Sequence, residues 1–137
     1  MDSFKNVFSL SGKTALVIGA GGLGLPIARA LMQNGADIVL ADMKEPDGAF
    51  AEDCRAEGRQ CFFVPVNLLD EESVVKMVAE ARQKTGRIDI LVNAAGVNKL
   101  IKAEDYDSKA WDFVLGINLR GLYLVTREVG KVMIEQN

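Results

Sequence analysis

Four glycines fall within six residues, Gly19-Ala20-Gly21-Gly22-Leu23-Gly24, directly between an apolar run and a helical pattern. The run, Thr14 to Ile18 (TALVI), has the length and composition of a buried strand. After the glycines, Leu23, Ile27, Ala30 and Leu31 recur at helical spacing and define the expected buried stripe. Pro26 fits only in the first turn of that helix, and Gly35 closes it as a C-terminal cap. Glycine permits the tight strand-to-helix turn and lets backbone approach a ligand. The helix N-terminus then offers unpaired N–H groups and a partial positive charge, which suits an anion. The G-x-G-x-x-G spacing is weak evidence alone, and its place between strand and helix gives it weight. No G-x-x-x-x-G-K-[ST] pattern is present, so the loop is not that of a P-loop nucleotidase.

The alternation continues along the chain. Asp37 to Ala41 (DIVLA) reads as a second strand, and Ala49 to Glu57 as a polar helix ended by Gly58. Gln60 to Val66 is a third strand, with Pro65 suited to its end or to a sheet edge. Asp70 caps a further helix whose apolar stripe is Val74, Val75, Met77, Val78 and Ala81, ended by Gly86. Ile88 to Val92 is a fourth strand. Asp107 or Ser108 opens a long helical stretch to about Gln136, with a kink or break expected at Gly116 and Gly121. Strand and helix in turn imply an α/β fold, a doubly wound parallel sheet of Rossmann type, with four strands in the order 3-2-1-4.

Composition narrows the function. The 137 residues carry a net charge of -3, which argues against nucleic acid as a partner. With no histidine, the usual zinc sites and every Ser-His or Cys-His pair are excluded, and no metal site is expected. Cys54 and Cys61 read as free thiols in a reducing compartment. Met1 to Phe8 lacks the apolar run of a signal peptide, and no stretch approaches the roughly 18 apolar residues of a membrane span. The expected location is the cytoplasm, with no membrane partner.

Asp42, at the end of the second strand, lies close to the roughly 20 residues after the first glycine at which a ribose-binding acid is expected. Its carboxylate can accept both hydroxyls of an adenosine ribose and would repel a 2′-phosphate. NAD is therefore favoured over NADP, with Lys44 nearby leaving NADP open.

From Leu10 onward the chain resembles the short-chain dehydrogenase/reductase family. The resemblance rests on the glycine loop, on Val66-Asn67-Leu68, on Asn93-Ala94-Ala95-Gly96 and on Asn118-Leu119-Arg120-Gly121, in that order. The loop departs from the family's T-G-x-x-x-G-x-G: Ile18 replaces the threonine, and either Gly21 or Gly22 can face the phosphate. The resemblance implies cofactor-binding roles for Gly19, Gly21, Gly22, Leu23, Gly24, Asp42, Met43, Asn67, Leu68, Asn93, Ala94, Ala95 and Gly96. Asn67 stands where the family commonly has an aspartate at the adenine, and a loop-capping role is the alternative. Asn93 to Gly96 packs near the ribose in the family, and a purely structural role is open. Asn118 corresponds to the family's asparagine that shapes the helix and holds a water in the proton relay, the one catalytic candidate, with a simple kink as the alternative.

The resemblance also implies NAD(P)-dependent hydride transfer to or from a small alcohol or ketone, in a homo-oligomer built through the last helix. The opening F-S-L-S-G-K-T-A-L-V is similar to sugar-acid and polyol dehydrogenases. Residues 1–137 read as a single dinucleotide-binding domain, the N-terminal half of such an enzyme. The family's serine and its tyrosine–lysine pair are expected after the helix that ends the sequence, so the chain alone is expected to be inactive. Tyr106 has no lysine four residues on, and Tyr123 has Arg127 there, which does not replace lysine. Two other readings stay open: a non-catalytic NAD-binding sensor or interaction module, and a Rossmann-like domain for another adenosine ligand such as a methyl donor or flavin.

Overall fold

The computed structural model describes residues 7–136; residues 1–6, part of the opening segment read above for a signal peptide, and residue 137 lie outside the described residues. Its sheet has four parallel strands, β1 (Thr14–Ile18), β2 (Asp37–Asp42), β3 (Cys61–Pro65) and β4 (Ile90–Asn93), in the order β3-β2-β1-β4. The helices are α1 (Gly24–Gln33), α2 (Ala49–Ala56), α3 (Glu71–Thr85), α4 (Ser108–Leu115) and α5 (Leu122–Glu135). β1 is buried at every position because it is central and covered on both faces. Side chains alternate between faces along a strand. Ala15 and Val17 accordingly join Ala28, Met32, Phe50 and Cys54 beneath α1 and α2. Leu16 and Ile18 join Met77, Val78, Val125 and Val129 beneath α3 and α5.

The first helix corrects the expected stripe. Gly24, Ala28 and Met32 face the sheet, while Leu23 and Ile27 are exposed and Leu31 is only half-buried. Close backbone approach at Gly24 selects small residues, Gly24 and Ala28, in the first turns, and Met32 fills the space further along while Leu23 and Ile27 turn aside. In α3 the inward stripe is Val74, Met77, Val78 and Ala81, with Val75 outside. The Asp70 carboxylate accepts from the Glu72 N–H (3.0 Å) as the expected cap, and Gly86 ends the helix at a φ of 76°. β4 begins later than the apolar run suggested. The Gln136 side-chain amide bonds both the N–H and the carbonyl of Ile88 (2.9 and 2.8 Å), taking the place of a strand partner. At Asp89 the backbone N–H donates to the Thr14 carbonyl (2.9 Å), while the side-chain carboxylate, which also accepts from Arg87, takes the Thr14 N–H (2.9 Å).

The long C-terminal stretch does not simply break at its glycines. Gly116–Gly121 forms a π-helical turn that joins α4 to α5. Its Arg120, together with Arg127 of α5, holds Glu71 at the start of α3 (3.2 and 2.7 Å). The hydrogen bond from Arg127 holds the Glu71 carboxyl below the usual carboxylate range. Both cysteines are free thiols; burial, then the neighbouring Cys54, pushes Cys61 up to about 12. Among the described residues no helix is long and apolar enough to cross a membrane.

Candidate functional site

In a doubly wound sheet ligands bind beyond the carboxyl ends of the strands, where the strand order reverses. Here that point lies between β1 and β4. The ladder continues one step past the strands: Gly19 N–H bonds Ala41 carbonyl (2.8 Å), Ala94 N–H bonds Ile18 carbonyl (2.9 Å), and Val66 N–H bonds Asp42 carbonyl (2.9 Å). Four chain segments therefore leave the sheet in one row and enclose a cavity of about 410 Å3. That volume lies within the range of small-molecule sites.

The glycine loop forms the floor. Gly19 has a φ of 94°, and a Cβ there would lie 2.7 Å from the backbone N and Cα of Ala95. A Cβ on Gly24 would lie 1.7 Å from the Gly19 carbonyl oxygen. These two glycines are needed for backbone-on-backbone packing. Gly21 and Gly22 are different: a Cβ on either meets nothing within 4 Å, and both line the cavity with Leu23. The N–H groups of Gly21, Gly22 and Leu23 find no partner among the described residues, and α1 carries neither a capping side chain nor an acid in its first turn. Such an end is open to an anion.

Asp42 is locked in place beside this floor. Its Oδ2 accepts from the Ala20 N–H (2.7 Å) and its Oδ1 from the Met43 N–H (2.6 Å). A carboxylate has about four acceptor positions, so about two remain for a ligand. Met43, Asn67 and Leu68 line the same cavity. Asn67 also shapes its own loop: its Oδ1 accepts from the Leu69 N–H (3.1 Å), and its backbone N–H donates to Ser73 Oγ (2.9 Å). The capping alternative is thus present, while one Oδ1 lone pair and the amide N–H groups stay available. Ala94, Ala95 and Gly96 form the opposite wall.

Three expected residues lie outside the cavity lining. Gly24 packs as described. Asn93 Nδ2 donates to Thr126 Oγ1 (2.9 Å) and fastens β4 to α5. Asn118 accepts from the Val97 N–H and donates to the Val97 carbonyl, both at 2.8 Å. Its two amide atoms engage the cavity wall at Val97, and Asn118 itself does not line the cavity, while one Oδ1 lone pair and one Nδ2 N–H stay available. Phe113, Ile117, Leu69 and Val97 also line the cavity and were not singled out in the sequence. Phe113 and Ile117 stand at i, i+4, a spacing that reads equally as ordinary helix core.

Residues 13–137 match the family model described as short chain dehydrogenase. The chain belongs to the short-chain dehydrogenase/reductase family. It is 39% identical over 128 residues to the oxidoreductase UcpA of Salmonella typhimurium, covering 93% of this chain and 49% of that protein. It is 35% identical over 132 residues to an NAD-dependent glycerol dehydrogenase of Listeria innocua, covering 96% of this chain and 51% of that protein. A crystal structure of a dehydrogenase/reductase from Sinorhizobium meliloti superposes with a TM-score of 0.90 at 27% identity, over 96% of this chain and 54% of that one. The chain therefore spans about half the length of these relatives, which include sugar-acid as well as polyol dehydrogenases. The family implies a nicotinamide dinucleotide cofactor.

The two kinds of glycine separate by mutation. Gly24→Ala should destabilise the fold by more than about 2 kcal/mol, because the new methyl meets fixed backbone. Gly21→Ala should change stability by less than about 0.5 kcal/mol. Urea unfolding of both variants checks this, and equal losses would contradict the assignment.

Proposed function

We propose that this chain forms the NAD-binding part of an oxidoreductase that moves hydride to or from a small alcohol or ketone. The observation that carries the reading is the meeting, at one cavity, of three N–H groups with no partner among the described residues, at a helix N-terminus, and a carboxylate one strand away. A pyrophosphate fits the first, and the hydroxyls of an adenosine ribose fit the second. Bound there, the dinucleotide would supply the hydride acceptor or donor. Gly19 and Gly24 shape the turn, while Gly21, Gly22 and Leu23 present their N–H groups to the phosphates. Asp42, with Met43 beside it, holds the adenosine ribose. Asn67 and Leu68 border the adenine, and Ala94, Ala95 and Gly96 wall the far side, braced by Asn93 and Asn118.

NAD is preferred to NADP because the Asp42 carboxylate would face a 2′-phosphate with like charge, and no basic residue stands in the glycine loop. Residues 1–137 act as one dinucleotide-binding domain. Arg127, which occupies the position of a partner to Tyr123, is tied to Glu71 and Glu128. The likeness to polyol and sugar-acid dehydrogenases makes a small polyhydroxy compound the substrate class.

Asp42→Ala should weaken NAD binding about tenfold or more, the loss of a charge-assisted contact, and should narrow the preference over NADP. Calorimetric titration measures both, and unchanged NAD affinity would remove the cofactor assignment.

The reading includes a second copy of the chain as partner, seated on the outer side of the long helical stretch. Trp111, Leu119 and Tyr123 follow one another there at steps of eight and four residues, 59%, 66% and 60% exposed. Leu119→Glu should lower the mass seen by light scattering; the same mass as the parent would place the contact elsewhere.

A further inference from the structure

The two walls of the cavity rest on the same six residues. On one side, a Cβ on Gly121 would lie 2.8 Å from both the Cβ and the carbonyl oxygen of Leu68, and one on Gly116 would lie 2.7 Å from Leu69 Cδ2. On the other side, Asn118 holds Val97 through both amide atoms. Between them Ile117 lines the cavity itself. In an α-helix, residues five apart point roughly 140° away from one another. A π-helical turn closes on i→i+5, which brings residues five apart to one side. The two glycines can therefore both meet the Leu68–Leu69 loop only because this turn is π-helical. The glycines are then not merely tolerated breaks. They remove the side chains that would otherwise push that loop into the cavity.

We propose that Gly116 and Gly121 are positioning residues that set the width of the cleft on its adenosine side. The proposal rests on the dinucleotide reading above. The Leu68–Leu69 loop adjoins Asp42, since Val66 N–H bonds the Asp42 carbonyl (2.9 Å), so a displaced loop narrows the place where adenosine would lie. The two contacts differ in kind. Gly121 faces backbone, which has no alternative rotamer. Gly116 faces the end of a leucine side chain, which can be cut back.

The test measures affinity for NAD and for AMP by calorimetry, with a thermal melt of each ligand-free variant. Gly121→Ala should weaken both ligands by a similar factor, about tenfold, because the damage lies in the half they share. A purely structural role would lower the melting temperature and leave the affinity of the folded protein unchanged. The second arm is a double-mutant cycle that stands even where Gly121→Ala fails to fold. Gly116→Ala should weaken AMP about threefold with Leu69 present, and by nothing further in the Leu69→Ala background. Wild-type affinity in a folded Gly121→Ala variant, or a Gly116→Ala loss undiminished by Leu69→Ala, would overturn the proposal alone. A parent protein that binds neither NAD nor AMP would overturn the dinucleotide reading and this inference with it.

Discussion

Backbone approaches backbone at the end of β1, and the site depends on that contact. Gly19 lies against Ala95, and Gly24 lies against the Gly19 carbonyl. No side chain fits at either point. Because of this, the chain turns at once from the central strand into α1, and the helix N-terminus stands over the carboxyl ends of the strands. The same closeness makes α1 bury the small Gly24 and Ala28 in its first turns, with Met32 packed further along. Leu23 is left free to line the cavity.

A second constraint acts from the sides. The loop glycines leave N–H groups open, and openness alone would give a floppy turn. Asp42 counters this by accepting from Ala20 within the loop and from Met43 beyond its own strand. One carboxylate thus orders the loop and still has lone pairs to offer. Asn118 does similar work across the cavity, using its amide as a substitute for a strand partner at Val97. Gln136 repeats the device at Ile88. Charged groups serve the outside: the Arg120 and Arg127 guanidiniums on Glu71 fix the start of α3 against α5, and so the loop that precedes it.

The architecture was legible because it follows from local signals. Continuous apolar runs marked the four strands, glycines marked the helix ends, and the alternation of strand and helix implied the parallel order that the sheet adopts. The floor of the site was legible for the same reason, since Gly19 to Gly24 and Asp42 sit at fixed offsets from strand ends. What escaped the sequence depends on distance between segments. Leu23, Ile27, Ala30 and Leu31 look like a buried stripe until the closeness of α1 to the sheet is known. Gly116 and Gly121 look like helix breakers until Leu68 and Leu69 are seen against them. Asn118 reads from its motif as a residue of the site, and its pairing with Val97 through both amide atoms shows only once the segments are brought together. Phe113 and Ile117 carry no mark that separates cavity lining from core.

The central claim is that the open N–H groups at the start of α1 and the carboxylate of Asp42 together receive one dinucleotide. The most direct measurement is an amide NMR titration of the protein with NAD. The expected result is a coordinated set of saturable shifts at Gly21, Gly22, Leu23 and Met43, with Ala95 and Gly96 following. Saturable shifts confined to other surfaces, or none at millimolar NAD, would contradict it.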